Sequence, residues 1–167
     1  MRRTNQPNRQ ALIHRRGFTY VELTVTLAIL AVLAMVALPF AELTVKRQHE
    51  FELRRALLDI RQAIDAYKLA ASTGQISVSK MESGYPASLS VLVKGVPNAL
   101  VPGTTMYFLR SVPADPFYPN QATPPDQMWG LRSYASPPEA PQKGNDVFDV
   151  YSLSTDIGLN NLPYRNW

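Results

Sequence analysis

The chain has 167 residues, a length that suits one small domain and one anchor. It carries no cysteine, which excludes disulfides, zinc thiolate sites and cysteine nucleophiles. Its formal charge of +4 resembles an electrostatic footprint for nucleic acid, but position undoes that reading. Five arginines (Arg2, Arg3, Arg9, Arg15 and Arg16) precede Phe18, with no acidic residue among them. Taking these five from the 17 basic residues leaves twelve against 13 acidic ones, so the body is close to neutral. It has no basic run interleaved with aromatics, and nucleic acid is not an expected partner.

Residues 1–14 are polar and basic, without periodicity. From 18 to 40 the chain is almost wholly apolar, apart from Thr19, Thr24, Thr26, Tyr20 and one carboxylate, Glu22. A bilayer's hydrocarbon core takes about 20 apolar residues as a helix. The stretch is long enough even when only 23–40 is counted. A secretory signal would end on small residues in an Ala-x-Ala pattern, and Ala37 to Glu42 lacks it. The arginine excess predicts a cytoplasmic N-terminus and an exported C-terminal part. Lys46 and Arg47 weaken that bias, although Glu42, Glu50 and Glu52 accompany them. An acid inside such a helix is costly and calls for a partner.

Arg15-Arg16-Gly17-Phe18-Thr19-Tyr20-Val21-Glu22 resembles the processing signal of type IV pilins and type II secretion pseudopilins. Their pattern is a basic leader, Gly-Phe-Thr, two apolar residues, Glu, then a long apolar helix. Tyr20-Val21 stands where Leu-Leu is commoner. The resemblance implies cleavage between Gly17 and Phe18 by a prepilin peptidase, with N-methylation of Phe18. It implies three parts: a cleaved leader 1–17, a membrane and filament-core helix 18–40, and a periplasmic pilin-like domain 41–167. Glu22 then has a role, because its carboxylate can meet the new Phe18 amine of a neighbouring subunit. A paired charge in an apolar core is tolerable and sets register, whereas an unpaired one is heavily penalised. A second reading places Glu22 simply at the helix start, where a carboxylate suits the helix dipole. Pro39 falls where many relatives in that family carry a proline, and it should kink or loosen the helix.

Beyond the anchor, Leu53, Leu57, Ile60, Ile64, Tyr67 and Ala71 form one stripe with a 3.6-residue period. Arg55/Asp59 and Arg61/Asp65 are placed to pair along the exposed side. The anchor and this stretch therefore predict one helix from 19 to about 71, ended by Gly74. Residues 84–93 predict a turn and a short helix whose buried face is Leu89, Leu92 and Val93. Three runs, 106–112, 129–135 and 147–153, are rich in aromatic and β-branched residues and bounded by turn formers. They predict an α+β fold in which the long helix packs on a small three-stranded antiparallel sheet, and the resemblance implies that this fold is pilin-like. Asp115, between prolines, is expected to cap nearby amides in a turn.

The C-terminal run around Tyr151-Ser152-Leu153-Ser154 resembles the segment leading into the calcium loop of major pseudopilins. Carried over, the ligands to Ca²⁺ would be the Leu153 carbonyl, an oxygen of Ser154, and Asp156. The loop then departs from that pattern, and later aspartates have no equivalent. Calcium prefers six to eight oxygens with several carboxylates. The alternative is an ordered polar tail stapled to the sheet by Tyr164 and Trp167.

No nucleophile elbow, phosphate-binding glycine loop or His-x-x-x-His occurs, and the two histidines lie apart. The expected function is structural and not enzymatic. The resemblance implies a bacterial inner-membrane protein that polymerises with itself and with minor pseudopilins into a periplasmic filament driving type II secretion. Its further partners would be the prepilin peptidase, a platform protein and an assembly ATPase. A minor type IV pilin or competence pseudopilin is the nearest alternative. A signal-anchored periplasmic binding or chaperone domain is the alternative of another class.

Overall fold

A computed structural model of the protein describes residues 17–78 and 83–167. Residues 1–16, Arg15 and Arg16 among them, lie outside the described residues, so most of the expected leader does too. The chain divides into two compact units, Met1–Leu43 and Thr44–Trp167. One helix, α1 (Tyr20–Ser72), contributes to both. Its bounds fall within a residue of those that the hydrophobic pattern predicts.

Each end of α1 has a local chemical cause. At the start, the Glu22 N–H donates to Thr19 Oγ1 at 3.2 Å, so Thr19 is the N-cap and satisfies an otherwise orphaned donor. At the end, Gly74 adopts a φ of 73°. The Gln75 N–H reaches back to the Ala70 carbonyl at 2.9 Å, and the Gly74 N–H to Ala71 at 3.2 Å. This paired return is the Schellman arrangement, which favours glycine at the left-handed position.

In the first unit the described side chains from Phe18 to Phe40 are exposed. It carries a helical stretch long and apolar enough to cross a membrane, with none of that window buried. The Thr24 and Thr26 hydroxyls donate to the Val21 and Leu23 carbonyls, both at 2.9 Å. Their polarity is thus met within the helix itself, as an apolar surrounding demands.

In the second unit α1 turns one face inward. Leu53, Leu57, Ile60, Ile64 and Tyr67 are buried as the stripe predicts, while Ala71 is only partly buried. Beside them runs a row of small buried residues, Ala56, Ala63 and Ala70, spaced by seven. Against this face lie Leu89 and Leu92 of α2 (Leu89–Lys94), together with Trp129, Val147, Val150 and Tyr164.

The sheet differs from the expected three strands. Among the described residues two separate antiparallel ladders form instead: β1 (Val96–Pro97) with β2 (Thr105–Met106), and β3 (Trp129–Arg132) with β4 (Asp149–Ser152). The run 106–112 contributes only Met106, because the Phe108 and Leu109 N–H groups both go to the Leu92 carbonyl at 3.0 Å. Those donors satisfy the end of α2 and are lost to any ladder. The run 129–135 ends early for a similar reason. The Ser133 N–H turns to the Gln142 carbonyl and the Tyr134 N–H to Asp146 Oδ1. In the β3–β4 ladder Gly130 pairs with Tyr151, and a Cβ there would lie 2.3 Å from the Tyr151 ring.

Arg55 and Asp59 approach to 4.0 Å on the exposed side, as spacing predicts. Arg61 does not pair with Asp65. It bonds Asp149 Oδ1 at 2.8 Å and the Val150 and Trp167 carbonyls, tying α1 to β4 and the tail. A guanidinium with several acceptors in reach gains more from that fork than from one exposed carboxylate.

The stripe gives the first prediction. Leu57→Ala leaves a cavity at a buried site and is expected to lower the unfolding free energy by about 2–5 kcal/mol. Urea unfolding of the full chain in detergent, followed by tryptophan fluorescence, measures it.

Candidate functional site

The predicted site residues fall in two places, one in each unit. In the first unit, Gly17, Phe18 and Thr19 precede the helix and adopt no regular structure. The Phe18 side chain is 83% exposed, and nothing lies within 4 Å of a Cβ built on Gly17. The Gly17–Phe18 peptide is therefore an accessible non-helical bond, the kind of segment a protease can engage. Phe18 lies one residue before the N-cap and outside the helical turn that holds Glu22.

Glu22 occupies the third helical position, at the start of the apolar stretch. Among the described residues its carboxylate makes no ion pair, while its backbone N–H donates to Thr19 Oγ1. Thr19 and Glu22 stand in the Thr-x-x-Glu spacing of a capping box. That spacing is legible in the sequence, and it accounts for the helix start without any partner. Pro39 lies inside α1, which continues through it. Its missing N–H costs the bond to the Met35 carbonyl but does not end the helix.

In the second unit, Leu153, Ser154 and Asp156 follow β4 directly. Asp115, fully buried, anchors this segment. Its Oδ1 accepts from the Phe117 N–H at 2.8 Å, as expected for a turn former, and its Oδ2 accepts from Ser152 Oγ at 2.6 Å. Two hydroxyl turns continue the chain: the Ser154 N–H donates to Ser152 Oγ at 3.1 Å, and the Asp156 N–H to Ser154 Oγ at 3.2 Å. For Ca²⁺ this offers one exposed carboxylate, one hydroxyl already accepting a bond, and a main-chain carbonyl. Among the described residues no group of three or more His, Asp or Glu side chains converges. A donor set with one negative charge does not fit an ion that draws six to eight oxygens, several of them charged.

Two residues that precede the stripe on α1, Lys46 and Glu50, hold this tail. Lys46 Nζ donates to the Ile157 carbonyl at 2.9 Å. Glu50, buried, accepts from the Leu159 N–H at 2.7 Å and from the Tyr164 hydroxyl at 3.1 Å. The signal was present: Glu50 stands three residues before Leu53 and in phase with the core stripe, where a carboxylate is anomalous. Tyr164 has no exposed surface; its ring stacks on Phe117 with centroids 4.0 Å apart and meets Trp167 edge-on. Arg54 lies 4.3 Å above the Trp167 ring. Tyr164 and Trp167 thus staple the tail to α1 through Glu50 and Arg54, while the turn Tyr164–Asn166 also packs against β4.

Burial, and after it the hydrogen bond and charge of Glu50, raise the Tyr164 pKa above the ordinary phenol value. Asp146 responds in the other direction. Burial raises its pKa, but hydrogen bonds from Ser83, Ser133 and the Tyr134 N–H outweigh burial and leave it below the usual carboxylate range.

Comparison with family models, curated proteins and solved structures finds no match to this chain.

The raised Tyr164 pKa sets a sign. The folded state keeps this proton where the unfolded chain has lost it, so stability is complete below about pH 10 and falls as pH rises above it. Tyr164→Phe is expected to flatten that alkaline limb. It also costs about 1–3 kcal/mol at neutral pH, because the buried Glu50 carboxylate loses a donor. Denaturant titrations of both proteins across the alkaline range check this; an identical limb in the variant assigns the effect to other tyrosines.

Proposed function

We propose that this chain is a pseudopilin: a structural subunit cut at Gly17–Phe18 by a prepilin peptidase and assembled into a periplasmic filament of a type II secretion system. One observation carries the reading. The apolar first part of α1, up to Phe40, bears a single carboxylate, Glu22, with no ion-pair partner among the described residues. An unpaired charge is hard to sustain in hydrocarbon, so the helix wants a partner that supplies a cation there. Cleavage creates one, the amine of Phe18. That amine would sit at the positive end of the helix dipole, where it too gains from a carboxylate. Stacking the helices side by side lets each subunit's Glu22 meet a neighbour's amine, and the pairing sets the stagger.

The motif 15–22 supports the assignment to the pilin superfamily, and the α+β body behind a long helix is compatible with it. In this reading the helix anchors the subunit in the inner membrane and later forms the filament core. Self-association, minor pseudopilins, a platform protein and an ATPase do the mechanical work, so the subunit needs no catalytic centre. A minor type IV pilin or competence pseudopilin would use the same chemistry in another machine.

A second reading draws on the N-cap. Thr19 and Glu22 also suit the start of a plain signal anchor that is never cut and holds a periplasmic binding or chaperone domain. The two readings part on processing. Co-expression with a prepilin peptidase is expected to remove the first 17 residues and methylate the new N-terminus, as read by intact mass. An unprocessed chain in the presence of active enzyme would sink the pilin-like reading. Glu22→Ala is expected to leave processing intact and to abolish filament assembly in a cross-linking assay.

A further inference from the structure

We propose that one turn of α1, Lys46 to Glu50, is a built-in clamp that docks the tail segment 157–164, and that the order of this tail requires no metal ion. The two residues are four apart and share a helix face. Lys46 places its ammonium against the Ile157 carbonyl at 2.9 Å. Glu50 places its carboxylate against the Leu159 N–H at 2.7 Å and the Tyr164 hydroxyl at 3.1 Å. A cation bound by tail oxygens would provide the first of these interactions; here a side chain of the helix provides it. The anion beside it captures the donors that the same loop turns inward. A carboxylate as buried as Glu50 is tolerated when hydrogen bonds replace its hydration.

The loop itself is closed by its own bonds. The Gly158 N–H reaches the Leu162 carbonyl at 2.9 Å, the Asn161 N–H returns to Gly158 at 2.9 Å, and the Leu162 N–H meets Asn160 Oδ1 at 3.1 Å. Asn161 takes the left-handed conformation, φ 61°, that such a tight return needs. With its interior satisfied, the loop needs only to be fastened to α1. Ser154 Oγ already accepts from the Asp156 N–H, and Asp156 is the one carboxylate in the tail, so little is left to coordinate a metal.

The clamp lies wholly within the unit Thr44–Trp167 and stands apart from the assembly reading, because it is tested on the purified, unassembled chain. The full-length protein in detergent is melted as prepared, after chelation with EGTA, and after addition of calcium chloride. The same melting temperature is expected in all three. Hydrogen exchange is then followed in peptides covering 157–164 and, as a core control, 57–67. Lys46→Met and Glu50→Ala are each expected to speed exchange in 157–164 by about tenfold or more while the control stays protected. Lys46→Arg, which keeps a cationic donor, is expected to retain protection. A lower melting temperature on chelation, or a higher one with calcium, overturns metal independence. Unchanged tail exchange in Glu50→Ala overturns the clamp, and so does an equal rise in tail and control, which would make Glu50 a support of the whole core.

Discussion

Ladders of two and four residue pairs cannot hold a domain together in water, since an isolated two-stranded ribbon is marginal at best. The body of this protein therefore depends on the buried face of α1. Leu53, Leu57, Ile60 and Ile64 supply the apolar area, and Ala56, Ala63 and Ala70 beside them let the packed segments come close to the helix axis. Trp129, Val150 and Tyr164 complete the cluster from loops and strands far away in sequence. Without the helix, these segments would have no common surface to bury.

A body with so little sheet must satisfy its backbone by other means. Side chains take over that task. Asp115 holds the Phe117 amide and the Ser152 hydroxyl, Arg61 gathers Asp149 and two carbonyls, and Asp146 holds Ser133 and the Tyr134 amide. Each is a charged group with two or more bonds, and such groups place irregular chain more firmly than neutral pairs do. Glu50, with two bonds, belongs to the same set, and Lys46 adds one beside it. Their place on α1 means that one helix carries an apolar stretch fit to span a membrane and also organises the tail of the body.

The two parts of α1 answer to different solvents. Up to Phe40 the helix is apolar all round and satisfies its threonine hydroxyls internally, as hydrocarbon or a bundle of identical helices would require. Beyond Thr44 it becomes amphipathic, with one face for a core and one for water. Glu22 is the single residue that breaks the first regime. Its position at the third residue of a capped helix explains how it is accommodated in one chain. Its missing ion-pair partner is what the filament proposal addresses.

Much of this organisation was legible from residue order alone. Helix periodicity is local and repeated, so α1, its core stripe and α2 follow from spacing, and Gly74 marks the stop because few other residues tolerate its backbone angle. The apolar stretch and the residues 15–22 at its start, which resemble a processing signal, are likewise contiguous in sequence. Pairing partners are not contiguous. Whether residues 106–112 form a strand depends on a competing acceptor, the Leu92 carbonyl, that only the folded chain brings near. Arg61 chose Asp149, 88 residues away, over Asp65 one turn along, because folding placed a carboxylate and two carbonyls within reach of one guanidinium. The tail was decided in the same way. Its own residues resemble a thin calcium loop, and nothing in them points to Lys46 and Glu50, more than 100 residues distant, which the tertiary structure sets against the Ile157 carbonyl, the Leu159 N–H and the Tyr164 hydroxyl.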